Sequence, residues 1–439
     1  MEVVVVVTGV WWCLQVCGRQ CFVVVNVVVV VLNLYMGLVL NVVVQSPRGP
    51  SQPLITITKA APDNTTAAGV GAMVPAALGV SDASGNFTLH AFVWAAQAWQ
   101  EVTAGAEVCL ATHTSVDWLH WVAHHAATWT GPMSVAVFAS GREYAVAAAM
   151  VAYLRRCVEG VEARVTFHLV HPQAYPPEPA AAPLPVLPCG ETKAVNAILV
   201  AAVGLSDQVH LRYPQNLLRN LAWRTCHTPY TLNVDVDMLT PPHMYTRLRG
   251  FLYGRAVCGR CAWVVPVYEV HSEVSELPAE KMDLLMLVVT GKARRFHIEI
   301  YKKNQGNSHL EEWEVSIKAG GSSSAPYAVL YNVTAYEEYW EPVVVVARGA
   351  PGFDERFIGY GFTRNSQINR IRYQMFKKEL HARLSLPQPP PLSRSTLKRS
   401  AALVVVSGRK PRRAVSVKGV RGNHVRIDGK EDGGGVKYV

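Results

Sequence analysis

Residues 228–242, TPYTLNVDVDMLTPP, carry the chain's most informative chemistry. An apolar run leads into Asp235 and Asp237, one residue apart, and two prolines close the stretch. Residues two apart on a strand share a face, so both carboxylates are expected on one side at the strand's carboxyl end. Open α/β sheets bind ligands at that edge. Two hard oxygen donors side by side suit Mn²⁺ or Mg²⁺, cations that a nucleotide diphosphate also ligates. Acidic pairs at strand ends are also common on solvated surfaces, so the flanks have to decide.

Two flanking stretches do. Residues 213–226, YPQNLLRNLAWRTC, predict a helix entered through Pro214. Asn216, Arg219 and Asn220 stand at i, i+3 and i+4 on one face. A guanidinium and two amides there would suit phosphates and sugar hydroxyls, although an exposed polar face has the same pattern. Further on come Trp340-Glu341-Pro342, the acidic loop Phe353-Asp354-Glu355-Arg356-Phe357, and Gly359-Tyr360-Gly361-Phe362. Aromatics and carboxylates between glycines suit sugar binding, with Trp340, Glu341, Tyr360 and Gly361 as candidate acceptor contacts, although bare composition suits a turn-rich loop equally.

The elements that must position these residues alternate. Strands are expected at 106–112, 133–139, 163–171 and 262–269. Helices are expected at 116–129, 144–157 and 369–384, the last basic and amphipathic. Strand–helix alternation predicts a parallel sheet with crossover helices. Residues 172–188 are proline-dense, and 270–325 are poorly periodic, as in connections over a binding face.

Outside this body the composition changes. Residues 21–44 carry no charge and are nearly all apolar, interrupted by Asn26, Asn33 and Asn41. That length exceeds the roughly 20 residues of a membrane-spanning helix. The expected organisation is an anchor at 1–45, a flexible stem at 46–85, the catalytic body at 86–384 and a disordered tail at 385–439. The formal net charge is +10, but the tail alone holds twelve Lys and Arg against three acidic residues. The basic balance therefore belongs to the tail, and no nucleic-acid partner is expected. Nine cysteines are present. Cys258 and Cys261 have no second pair nearby, so a disulfide or plain burial is expected rather than zinc. Asn64, Asn86 and Asn332 head acceptor triplets for N-glycosylation.

Several pieces, in order, resemble glycosyltransferase family 49, the LARGE-type transferases, and most closely its beta-1,4-glucuronyltransferase branch. They are VCLATHTSVDWLHWVAHHAATWTGPMSVAVF, YPQNLLRNLAWR, the DVDM segment, AWVVPVYE, WEPVVVV, FDERFIGYGFTRNSQ and the terminal INRIRYQMFKKELHARL. The resemblance implies a GT-A-like α/β domain with a mostly parallel central sheet behind one transmembrane helix. It implies a single-pass type II Golgi membrane protein with a luminal catalytic domain. It implies a UDP-sugar donor, Mn²⁺ (or Mg²⁺) on Asp235 and Asp237, and donor contacts from Thr112, Asn216, Arg219 and Asn220. It also implies inverting transfer of glucuronate to a xylose-ended O-mannosyl glycan of the α-dystroglycan type, for which Asp354 of the acidic loop is the expected general base with Glu355 second, and room for a dimer with itself or a related transferase. A LARGE-type xylosyl- or glucuronyltransferase is the alternative within the family. One departure stands out. Gln367 runs almost directly into Ile368-Asn369-Arg370, and the family's third metal-ligand histidine has no counterpart, since His381 lies in the terminal helix. That leaves two readings open, an active transferase and an inactive, membrane-anchored partner of one.

Overall fold

Uncharged runs rich in valine and other apolar residues build the strands. In the computed structural model, VCLATHTS, MSVAVF and VTFHLVHP are buried almost throughout. Burial on both faces is the mark of central parallel strands covered by helices on either side. The structure describes residues 79–203, 211–257, 261–316, 327, 329–333, 337–359, 361, 363–373, 405–407 and 437–438.

The strands are β1 (Val80–Ser81), β2 (Phe87–Trp94), β3 (Val108–Ser115), β4 (Met133–Phe138), β5 (Val165–Pro172), β6 (Tyr230–Asn233), β7 (Met238–Leu239), β8 (Ala262–Val265), β9 (Val267–Val270), β10 (Ala293–Arg295) and β11 (Val343–Ala347). The helices are α1 (Trp99–Ala104), α2 (Trp121–Thr128), α3 (Glu143–Cys157), α4 (Val161–Arg164), α5 (Thr192–Val203), α6 (Gln215–Thr225), α7 (Met244–Leu252), α8 (Lys281–Val289), α9 (Lys303–Gly306), α10 (Leu310–Val315) and α11 (365–373).

One sheet has eight strands in the order β1-β2-β5-β4-β3-β6-β11-β8. Its centre, β5-β4-β3-β6, is parallel, and its flanks are antiparallel. The chain steps from β3 to β4 to β5 on one side, then jumps back to lay β6 on the other side of β3. In open α/β sheets such a reversal is where ligands bind, here at the carboxyl ends of β3 and β6. On one face, Val108 and Leu110 of β3 pack with α2, α3, α5 and α7. On the other, Cys109 and Ala111 pack with Leu218 and Ala222 of α6. A disulfide from Cys109 to Cys226 ties β3 to the residue after α6, and a second joins Cys157 to Cys189. Cys261 is also disulfide-bonded, in line with the expectation for its pair.

Three local expectations change. The DVD segment is not strand: β6 ends at Asn233, and Asp235 and Asp237 lie on the turn into β7. The Met238 N–H donates to the Asp235 carbonyl at 2.9 Å, closing that turn. His125 donates from Nε2 to the Val236 carbonyl at 2.9 Å and pins it. The 262–269 run splits at Pro266, which has no N–H for a ladder, so β8 stays in the large sheet and β9 joins a second one. Two pieces of the tail, 405–407 and 437–438, pair with β9.

β1 pairs with β2 inside the stretch read as stem. The apolar stretch at 21–44 lies outside the described residues, and among those described no helix is long and apolar enough to cross a membrane.

Candidate active site

β3 delivers His113 and β6 leads to Asp235, both at that reversal. His113 Nε2 donates to Asp235 Oδ1 at 3.1 Å, and Tyr213 O–H donates to His113 Nδ1 at 2.8 Å. That chain of bonds needs a neutral imidazole with its proton on Nε2. Burial lowers the His113 pKa and outweighs the pull of Asp235 the other way. Arg219 Nη2 and Arg364 Nη2 donate to the same Oδ1 at 2.8 and 2.6 Å. Arg364 Nη1 also holds the Asn233 carbonyl at 2.9 Å. Burial pushes the Asp235 pKa up, but Arg219, Arg364 and His113 together hold it well below the usual carboxylate range. Asp235 is therefore ionised at neutral pH.

The polar face of α6, expected to meet the donor, is buried against the loop that follows Gly352. Asn216 Nδ2 donates to the Asp354 carbonyl at 2.8 Å and the Thr363 carbonyl at 3.1 Å, while its Oδ1 accepts from Arg219 Nη1 at 3.0 Å. Asn220 accepts from the Phe353 N–H at 2.8 Å and donates to the Phe353 carbonyl at 2.9 Å and Glu355 Oε1 at 2.6 Å. Both amides thus fasten the loop from Gly352 to Ser366 onto α6 and have little left for a nucleotide. Gly352 permits this approach, because a Cβ there would stand 2.7 Å from Asn220 Oδ1. Thr112, the other expected donor contact, lies on β3 beside His113. Side chains alternate along β3, so it faces away from His113 and is fully buried.

The two carboxylates of the acidic loop, expected as general base, are both ion-paired. Asp354 is held by Arg356 through Oδ1 at 2.9 Å and Oδ2 at 2.6 Å, and that guanidinium lowers its pKa. A depressed carboxylate gripped by a guanidinium is a weak proton acceptor. Glu355 Oε1 is occupied by Asn220 and by Arg224 at 3.3 Å. Trp340 is buried and donates from Nε1 to Ser308 Oγ at 2.9 Å, so it packs rather than stacks on a sugar. Gly361 is exposed with φ +95°, and Tyr360 lies outside the described residues. Glu341 does reach the same place. β11 runs antiparallel to β6 with Val345 opposite Leu232, which sets its start beside the end of β6. The charges of Arg364, Arg219 and Asp235 all act on Glu341 there.

His113, Tyr213 and Arg364 were not singled out from sequence. The available signals were a histidine among small polar residues at the end of an apolar strand, and an arginine within FTRNSQ. Asn86 and Asn332 are exposed, as glycosylation requires, and Asn64 lies outside the described residues.

For a divalent cation the donor set is partial. Asp235 is ionised, and among the described residues nothing bonds its Oδ2. Asp237 is half-buried two residues on. No group of three or more His, Cys, Asp or Glu able to hold a metal is found among the described residues. Mg²⁺-type cations are commonly held by one or two carboxylates plus substrate phosphates, so the set fits a cation that arrives with a diphosphate.

Comparison with known proteins places this geometry. The family profile described as "Glycosyl-transferase for dystroglycan" matches residues 107–377. Human Beta-1,4-glucuronyltransferase 1 is 32% identical over 313 residues, covering 69% of this chain and 71% of that protein. The zebrafish (Danio rerio) protein of the same name is 29% identical over 311 residues, covering 66% and 69%. Xylosyl- and glucuronyltransferase LARGE2s of zebrafish is 30% identical over 165 residues, covering 37% of this chain and 20% of that protein. The protein is thus a glycosyltransferase, a class that takes a nucleotide-sugar donor and a glycan acceptor. It belongs to the family of glycosyltransferases for dystroglycan.

Proposed function

We propose that this chain moves glucuronate from UDP-glucuronate to a xylose-ended O-mannosyl glycan of the α-dystroglycan type, with inversion, in the Golgi lumen. One observation carries the transferase site: an ionised Asp235 whose Oδ2 no described residue bonds, at the point where the strand order reverses. The GT-A-like reading rests on the same feature. The likeness to Beta-1,4-glucuronyltransferase 1 supports the choice of sugar. The disulfides Cys109–Cys226 and Cys157–Cys189 support an oxidising compartment. Mn²⁺ or Mg²⁺ held by Asp235 and Asp237 would neutralise charge gathering on the departing diphosphate. The protein's own part is to fix Asp235: Arg219, Arg364 and His113 lock one oxygen and leave the other to the cation.

Incubating the full chain with UDP-glucuronate and a xyloside, with and without Mn²⁺, tests the proposal by UDP release. Release that needs the cation and fails with UDP-xylose is expected; no release with any UDP-sugar overturns it. The same experiment separates the LARGE-type reading, which would accept UDP-xylose. The partial ligand set favours, as a second reading, an inactive partner of a related transferase, for which a folded chain would bind no UDP.

Two further expectations follow. With only two carboxylates available, Mn²⁺ alone should bind weakly, and UDP should tighten it at least about tenfold by supplying phosphate oxygens. Titration followed by electron paramagnetic resonance reads this directly, and equal affinity with and without UDP would contradict it. Exposed Asn86 and Asn332 should both carry glycans in a secretory host. Each Asn→Gln change should then remove one step of mass, as seen on gels after deglycosylation.

A further inference from the structure

Glu341 is set up in a way that no structural role requires. Its Oε2 accepts from Asn304 Nδ2 at 2.8 Å, and its backbone N–H donates to the Asn304 carbonyl at 2.9 Å. Asn304 is itself steadied by Gln305, whose Nε2 donates to Asn304 Oδ1 at 2.9 Å and to the Glu341 carbonyl at 3.0 Å. Ser308 Oγ donates to Gln305 Oε1 at 3.1 Å and accepts from Trp340 Nε1 at 2.9 Å. Asn304, Gln305 and Ser308 are all buried. This relay fixes one carboxylate oxygen and the backbone behind it. The other oxygen, Oε1, is buried with no hydrogen-bond partner among the described residues, although the backbone N–H of Asn365 acts on the carboxylate and offsets part of the rise that burial gives its pKa. A buried, unpaired carboxylate oxygen is costly, and such an arrangement persists where a ligand group completes it.

We propose that Glu341 is the general base of the transfer, replacing Asp354 in that role; this rests on the glycosyltransferase reading above. The acceptor hydroxyl gives its proton to Glu341 Oε1 as its oxygen bonds to C1 of the donor sugar. The bond from C1 to the phosphate oxygen breaks, and its electron pair leaves with the nucleoside diphosphate. Attack on the face opposite the diphosphate inverts C1. Asn304 is a positioning residue that keeps Oε2 occupied so that Oε1 takes the proton.

The charge environment suits the role. Burial raises the Glu341 pKa, while Arg364 and Arg219 pull it back and Asp235 adds to the rise. A raised value makes a stronger base than Asp354, whose own value is depressed. The sign is definite. Glu341 is protonated, and idle, at low pH, so turnover should fall as pH drops through that raised value.

The test compares full-length wild type, Glu341→Gln, Asn304→Ala and Asp354→Asn for UDP release across pH and for UDP binding by calorimetry. Glu341→Gln should lose about 10²- to 10⁴-fold in kcat, keep UDP binding within about threefold, and lose the acid limb of the profile. Asn304→Ala should move that acid limb rather than abolish it, a shift that a purely structural role would not give. If Glu341→Gln fails to fold, the displaced limb in Asn304→Ala still decides the matter. Glu341→Gln turning over normally, or Asp354→Asn showing the larger loss in kcat, overturns the assignment and leaves the transferase reading standing. A wild-type chain that releases no UDP from any UDP-sugar ends both.

Discussion

Asp235→Asn is expected to lower stability as well as turnover. Arg219 and Arg364 side chains are 4% and 8% exposed, and both lean on Asp235 Oδ1. Without that charge, two buried guanidiniums lose the carboxylate they bond and face each other with only the more distant Glu341 to offset them. Removing one partner of a buried ion pair costs about 3–5 kcal/mol, and the 28% exposure of Asp235 places this one near the lower figure. Urea unfolding should show a lower midpoint at unchanged slope. Asp237→Asn should lose turnover as well. The pH dependence has a fixed sign. The folded pKa of Asp235 is depressed, so its contribution is complete above the ordinary carboxylate value and is lost as pH falls through the folded value. An Asp235→Asn variant as stable as wild type would mean that the two arginines are neutralised elsewhere.

Breaking the Cys109–Cys226 disulfide is the second large effect. It closes a separation of 117 residues, and chain-entropy bookkeeping for a loop that long gives about 5 kcal/mol. The Cys157–Cys189 bridge spans 32 residues and should cost less, about 3.5 kcal/mol on the same basis. The longer bridge also joins β3, which carries His113, to the end of α6, which carries Arg219. Cys226→Ser should therefore lose activity beyond its loss of stability, whereas Cys189→Ser should lose stability alone. Melting and turnover of the two variants, measured with and without reductant, separate these outcomes.

Much of the architecture was legible because the central strands are buried on both faces. Runs such as MSVAVF leave little alternative, and the strand–helix alternation from residue 108 to 172 follows from them. The DVD segment misled, because periodicity does not show where a ladder stops; the bond from Met238 to Asp235 and the anchor from His125 are tertiary facts. α6 misled differently. Its i, i+3, i+4 polar face was legible, but whether such a face meets solvent, ligand or protein depends on a loop over a hundred residues away. Glu341 was legible as a candidate sugar contact beside a tryptophan, not as a base. Its role depends on Asn304, Gln305 and Ser308, which stand in the least periodic part of the chain.

The fastening of the Gly352 loop to α6 has a mechanical consequence. Amides at both Asn216 and Asn220, with a glycine where any side chain would collide, weld helix and loop into one rigid piece. Closure around a bound sugar nucleotide cannot hinge between them. The moving part must lie elsewhere, and variants that alter product release without touching chemistry should map outside both segments.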